Sequence, residues 1–358
     1  MRILRNTARH LIVLGCITAV LAAQAAPGTA ARHRPMVVTG DLSHRSWVKT
    51  VTENAKGKES TKRVIAGRLR FFLDGRDGGW DWRFSLSTID NQRLTSALLC
   101  LGRDEKTPLG PAQFQITNLY GQRACGRAGG RLRLGRTQVP FLKNKSEMLW
   151  DNDIYWDGLW TELPFRPGAT AAWHGGAFLV HRDLRFRGDR LFVLGALGKP
   201  HWGKVQAEWR LDHFDYHLDP AWWRGNLAPG YRTVNLYGAV DLPGQVRLTL
   251  DAARNLRAVG PERGRQGLNA TLVLGRMKHD RTFQGIVQWL RVGAQVTPPA
   301  FVSYEKRLNM EGTHLTAKFR LTKHLALSAD YLDWHRLDGA VPTDRRYRRW
   351  ETSADLSF

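Results

Sequence analysis

What most restricts the fold of this chain is a strict two-residue alternation at its end, in a sequence without the roughly 18 uninterrupted apolar residues of a membrane helix after its first segment. Counting back in twos, Phe358, Leu356, Ala354, Thr352 and Trp350 alternate with Ser357, Asp355, Ser353 and Glu351. Successive side chains of a strand point to opposite faces, so this segment has one apolar face bounded by aromatics and one charged or hydroxylic face. Tilted by roughly 40°, such a strand rises about 20 Å, near the height of the outward apolar band of a transmembrane barrel. A strand of a soluble sandwich alternates in the same way, so the segment alone leaves both folds open.

The alternation recurs along the chain. Trp80, Trp82, Phe84 and Leu86 oppose Asp81, Arg83, Ser85 and Ser87; Val205, Ala207, Trp209 and Leu211 oppose Gln206, Glu208, Arg210 and Asp212. The expected strands are 43–51, 63–73, 80–87, 113–120, 131–137, 168–174, 177–186, 190–197, 205–214, 231–241, 245–253, 267–276, 281–292, 313–321, 325–334 and 347–358. Their connections sort by parity. One set (52–62, 88–112, 138–167, 215–230, 254–266, 293–312, 335–346) is long, and the other (74–79, 175–176, 198–204, 242–244, 277–280, 322–324) is short. Two connections fit poorly: 187–189 is short in the long set, and 121–130 is long in the short set. A barrel with short turns at one end and longer loops at the other has this signature, whereas a soluble sandwich has no reason for it. The expected fold is all-β, a transmembrane antiparallel up-and-down barrel of about sixteen strands. Fourteen is the alternative, because Cys100 and Cys125 could pair only if 113–120 does not span.

Residues 1–25 read as a signal peptide, with Arg2, Arg5 and Arg9 before an apolar core and Ala23-Gln24-Ala25 as the cleavage site. Residues 26–42 are expected as a short periplasmic tail and 43–358 as the barrel. The formal charge of +22 would suggest nucleic acid in a cytosolic chain. Export and the lack of a helix-turn-helix, zinc-finger or RNP motif argue against that partner, and the charge is read instead as a field favouring anions or a basic rim against acidic lipid headgroups. The mean hydropathy of −0.39 does not oppose a barrel, since its lumen positions are polar.

With these features in place, the chain resembles the Gram-negative outer-membrane porins. The resemblance is carried by the leader, the alternating strands and the terminal Trp350…Phe358 strand. It is carried also by Leu132-Arg133-Leu134-Gly135-Arg136, followed by Trp150-Asp151-Asn152-Asp153 and Trp156-Asp157-Gly158-Leu159. It implies an outer-membrane location in contact with lipid, and insertion by the barrel-assembly machinery through Trp350, Leu356 and Phe358. It also implies that loop 138–167 folds into the lumen, with a homotrimer left open as the oligomeric state. No cofactor and no covalent chemistry are expected.

The alternation places Arg68, Arg70, Arg83, Arg131 and Arg133 on the lumen wall, and the long loop carries Glu147, Asp151, Asp153 and Asp157. Arginines do not titrate near neutrality, so this ladder facing a carboxylate loop would set a permanent field across a constriction. Ordinary solvated lumen charges, balanced around the wall, are the plainer alternative. Trp150, Tyr155, Trp156 and Trp160 could stack on a solute such as a sugar, or pack the loop against the wall. His213 and His217 flank Asp215, but no catalytic constellation, metal-ligand spacing or phosphate loop is present. The expected function is a passive channel for small hydrophilic solutes or ions with anion preference. The rivals are a barrel enzyme or adhesin with a plugged lumen, and a soluble secreted β-protein binding acidic glycans.

Overall fold

The computed structural model describes residues 34–53, 58–88, 114–126, 129–137, 148–149, 155–179, 189–218, 230–298, 308–337 and 345–357. Four strands open the chain: β1 (Arg34–Glu53), β2 (Lys58–Asp77), β3 (Trp80–Thr88) and β4 (Phe114–Cys125). β5 (Gly130–Thr137), β6 (Trp156–Pro164), β7 (Ala171–Leu179) and β8 (Arg190–Gly198) follow, then a two-residue β9 (His201–Trp202). β10 (Val205–His217), β11 (Tyr231–Leu242), β12 (Val246–Asn255) and β13 (Gln266–Gly275) come next. β14 (Thr282–Val292), β15 (Met310–Arg320), β16 (Leu325–Arg336) and β17 (Arg345–Ser357) complete the set. β9 pairs only with β10, beside the turn that joins it to β8. Each of the other sixteen strands has two antiparallel neighbours, and β17 closes on β1 from Asp41 opposite Ser357 to Glu53 opposite Arg345. The molecule is a closed sixteen-stranded barrel. Closure leaves no long sheet edge unpaired.

Local chemistry sets the hairpins and the register sets the faces. Gly78 and Gly79 both take positive φ (54° and 80°), the conformation a tight two-residue hairpin needs. Counting outward from this turn puts Asp77 opposite Trp80 and Asp74 opposite Arg83. In β17, Trp350 points outward at 63 % exposure, while Arg349 and Glu351 are buried on the lumen side and bonded to each other. Trp350 stacks on its outward neighbour Tyr331, with ring centroids 4.4 Å apart. Leu194, Leu236, Leu250, Val287 and Leu315 are likewise exposed on the outer face. A continuous apolar exterior of this kind marks a surface made for contact with another apolar phase. No helix among the described residues is long and apolar enough to cross a membrane.

The strand count agrees with expectation, but two errors compensate within it. The expected strands 168–174 and 177–186 are one strand, β7, and Trp156–Pro164, expected as the end of the inward loop, is β6. Gly175-Gly176 reads as a turn, yet neither glycine takes positive φ. Gly176 instead leaves room for the Phe178 ring, 2.7 Å from where its Cβ would stand. β6 escapes the two-residue pattern because its lumen side carries Trp156 and Trp160 while Leu159 and Leu163 face outward, so apolar residues stand on both faces. With β6 and β7 corrected, the two ill-fitting connections become 180–189 and 126–129, and loop and turn ends separate fully except for the short 54–57. β1 begins at Arg34, inside the expected tail 26–42. β4 spans to Cys125, which rules out the fourteen-stranded alternative; Cys100 lies outside the described residues.

Candidate pore wall

The lumen divides into two arcs. The first is the charged wall of β1–β5. Arg70 Nε donates to Asp41 Oδ1 at 2.8 Å. Arg83 binds Asp74 in bidentate fashion, at 2.6 and 2.8 Å. Phe72, between these two arginines on β2, has a guanidinium 5.7 Å from its ring centre on either account. Arg131 lies 3.6 Å from Glu162. Arg133 differs from all of these. Its Nε and Nη2 donate to Gln122 at 3.0 and 2.6 Å, its Nη1 donates to Thr137 at 3.1 Å, and it stacks over Tyr120 at 4.3 Å. Among the described residues it has no carboxylate partner. Its charge is held in place by neutral groups, and the carboxylate that acts on it, Glu162, does so without a direct ion pair.

The second arc, β6 to β14 with Leu332 and Trp334 of β16, is packed. Trp156, Trp160, Phe178, Leu191, Val193, Phe214 and Leu290 bury their side chains on the lumen side. Two loop fragments join them. Met148 and Leu149, from the connection between β5 and β6, are fully buried, and Met148 Sδ stands 3.0 Å from the Cβ position of Gly267 on β13. Val296, from the connection between β14 and β15, is fully buried beside them, 3.5 Å from the same position. Thr233 and Asn255 fasten this second loop by donating to the carbonyls of Val296 and Gln295, both at 2.8 Å. Thr297 Oγ1 reaches the carbonyl of Leu149 at 3.4 Å and ties the two loops together. Backbone of both connections therefore lies inside the barrel.

Charge enters the packed arc as an enclosed network and as one partly exposed cluster, in which Arg247 reaches Asp241 at 2.7 Å and Glu208 at 3.3 Å. Asp212 Oδ1 lies 2.6 Å from His174 Nε2, and Asp212 Oδ2 accepts from Arg210 Nε at 2.7 Å, all three buried. Arg210 also lies over Tyr237 at 4.8 Å. Gly195 makes the His174–Asp212 contact feasible, since a Cβ there would stand 2.4 Å from His174 Nε2 and 2.6 Å from Asp212 Oδ1. Next to this group Asn235 donates to Asp251 at 2.5 Å.

The residues singled out from sequence separate accordingly. Arg70, Arg83, Arg131 and Arg133 share the lumen wall; Arg68 stands opposite Ser43 in the β1–β2 register, its side chain outside the described residues. Glu147, Trp150, Asp151, Asp153 and Phe358 lie outside the described residues. Asp157 is a correction: it belongs to β6, not to a loop, and binds Arg136 in bidentate fashion at 2.9 and 2.7 Å instead of facing the arginine ladder. Tyr155, Trp156 and Trp160 are also corrected, being buried wall packing with no ring face open to a solute. Sequence reasoning missed Asp41, Asp74 and Glu162, the partners that neutralise three of the arginines. Cross-strand counting from the Gly78-Gly79 turn would have found Asp74. Among the described residues no group of His, Cys, Asp or Glu could hold a metal ion.

No family model matches the chain, and no curated protein matches it. Solved structures do. OprB of Pseudomonas putida superimposes with a TM-score of 0.61 at 11 % identity, over 90 % of this chain and 94 % of that one. A triple mutant of the Rhodopseudomonas blastica porin gives 0.50 at 10 % identity, and an anion-selective porin from Comamonas acidovorans gives 0.50 at 13 %. Both alignments cover 90 % of this chain and all of the other. The chain has the fold of the Gram-negative porins.

Proposed function

We propose that the protein is an outer-membrane pore for small hydrophilic solutes or ions, with a preference for anions. The observation that carries this reading is a closed barrel with an exposed apolar exterior and an arc of half-exposed charge inside. The solute path runs off-axis along β1–β5. On the far side it is bounded by the packed arc, and the loop bearing Met148 and Leu149 narrows it. Anion preference rests on Arg133, whose charge lacks a carboxylate partner among the described residues, while Arg70, Arg83 and Arg131 add a weaker, partly cancelled contribution. Likeness to a porin described as anion-selective agrees with this. Residues 1–25 are removed on export, and β17 serves as the insertion signal.

The test is conductance of the purified chain in a planar bilayer under a salt gradient. Stable steps with an anion-directed reversal potential are expected. The packed arc favours one rival, a barrel with a plugged lumen that serves as an enzyme or adhesin. A silent bilayer containing correctly folded protein would select that rival.

A further inference from the structure

The charged wall carries more than arginines. Two half-buried aromatic rings stand among them on the lumen side, Phe72 of β2 and Tyr120 of β4. Phe72 shares strand parity with Arg70 and Asp74, while Phe71 takes the outer face at 39 % exposure. Lumen positions of a barrel are ordinarily polar, so a phenylalanine there departs from the pattern. Register brings rings and guanidiniums together. Arg83 stands opposite Asp74 on one neighbouring strand and opposite Tyr120 on the other, and Arg133 stands opposite Gln122. Cations and rings therefore alternate from β2 to β6. Phe72 lies 5.7 Å from both Arg70 and Arg83, and Arg133 lies 4.3 Å from Tyr120 and 5.9 Å from Trp160.

A guanidinium that stacks on a ring uses its face and keeps its edges for hydrogen bonds. Of the five N–H donors such a group has, Arg133 gives Nε and one on Nη2 to Gln122, and one on Nη1 to Thr137. Each terminal nitrogen keeps one N–H, and a carboxylate accepts such a pair side by side. Arg70, Arg83 and Arg131 each lie beside a carboxylate. Among these four, Arg133 alone is open to a solute, which suits a monoanion better than phosphate or a dicarboxylate. The plain account of the rings is that they only brace the guanidiniums. Phe72 fits that account poorly, because Asp41 and Asp74 already hold Arg70 and Arg83 through hydrogen bonds of 2.6 to 2.8 Å. Its ring is left as an apolar surface on the solute path.

We propose that this wall selects planar aromatic monocarboxylates, the benzoate class, among the solutes of the pore. The carboxylate takes the open N–H pair of Arg133, and the ring lies against the lumen-facing sides of Tyr120 and Phe72. A saturated ring buries similar area but lacks the quadrupole that aromatic contacts use. The assignment deepens the pore reading and rests on it for passage, while binding is measured without current.

The test is a titration of the folded full chain in detergent at fixed ionic strength, read by ligand-observed NMR. Benzoate is expected to bind about fivefold more tightly than cyclohexanecarboxylate, which has its charge and bulk without the aromatic ring. Benzyl alcohol, the ring without the charge, is expected to bind about tenfold more weakly than benzoate. Arg133→Gln should weaken both carboxylates alike and leave their ratio intact. Phe72→Leu should lower that ratio toward one while cyclohexanecarboxylate keeps its affinity. Tyr120→Leu carries this arm if the Phe72 variant does not form a heat-resistant barrel. Equal binding of the two carboxylates by the parent overturns the proposal and leaves the rings as bracing. So does benzyl alcohol binding as tightly as benzoate, an unchanged benzoate affinity in Arg133→Gln, or a ratio that neither ring variant moves. Ion current across a bilayer keeps the two readings apart. A conducting barrel without the preference sinks this assignment alone, and a silent barrel that shows it sinks passage and leaves the binding site.

Discussion

The two arcs of the lumen use the same ion-pair chemistry for opposite ends. On β2 and β3, Arg83 and Asp74 form a bidentate pair whose side chains remain 40 and 34 % exposed. On β7 and β10, His174, Arg210 and Asp212 form contacts of similar length with side-chain exposures of 0, 1 and 0 %. An exposed pair is solvated and screened, and contributes about 0–1 kcal/mol. A buried one has already lost its hydration, so removing one member strands the others and costs about 3–5 kcal/mol. Charge on the open arc is therefore screened by solvent and not committed to the fold. In the enclosed His174–Arg210–Asp212 network it is committed to the fold.

That contrast is most directly broken by substitution at the two carboxylates. Asp212→Ala is expected to destabilise the barrel by about 3–5 kcal/mol, whereas Asp74→Ala costs about 1 kcal/mol or less. The temperature at which the compact band on an unboiled denaturing gel gives way to the unfolded one reports both. Equal shifts would mean that burial does not separate the arcs. Next in size is Leu149→Ala. Truncating a fully buried leucine costs about 2–4 kcal/mol, and here it also loosens the contact between the two inward loops. Single-channel conductance should therefore rise. An unchanged step size in a folded variant would show that this contact does not bound the path.

The open arc and the packed arc were not equally legible in the sequence. Where one face is apolar and the other polar, as in Trp80–Leu86 or Val205–Asp212, the alternation is visible and the strands fall where expected. Where the lumen face is itself apolar, as with Trp156 and Trp160 of β6, the pattern fades and the strand passes for loop. Gly175-Gly176 compounds this, because a glycine that makes room for the Phe178 ring looks in sequence like one that makes a turn. The arginines of the wall were visible from parity alone. Their partners were not, because pairing depends on register across strands; only beside a turn as tight as Gly78-Gly79 can register be counted from sequence. The seat of Leu149 on the loop after β14 joins residues too distant in the chain for any local pattern to show.

Within the open arc the remaining predictions concern selectivity, and they run in opposite directions. Arg133→Gln removes a charge whose direct hydrogen-bond partners are the neutral Gln122 and Thr137, with the Tyr120 ring beneath it. The reversal potential should move toward cations, and the melting temperature of the barrel should change little, because no carboxylate is left stranded. Asp74→Asn does the reverse. It frees the Arg83 guanidinium from its anionic partner while keeping a hydrogen-bond acceptor in place, so anion preference should increase, by less than Arg133→Gln reduces it. The smaller size follows from exposure: solvent and salt already screen this pair, so undoing it uncovers only part of a charge. If both substitutions moved the reversal potential the same way, or neither moved it, the permeant ions would not be passing along β2–β5. The path would then have to be sought elsewhere in the lumen.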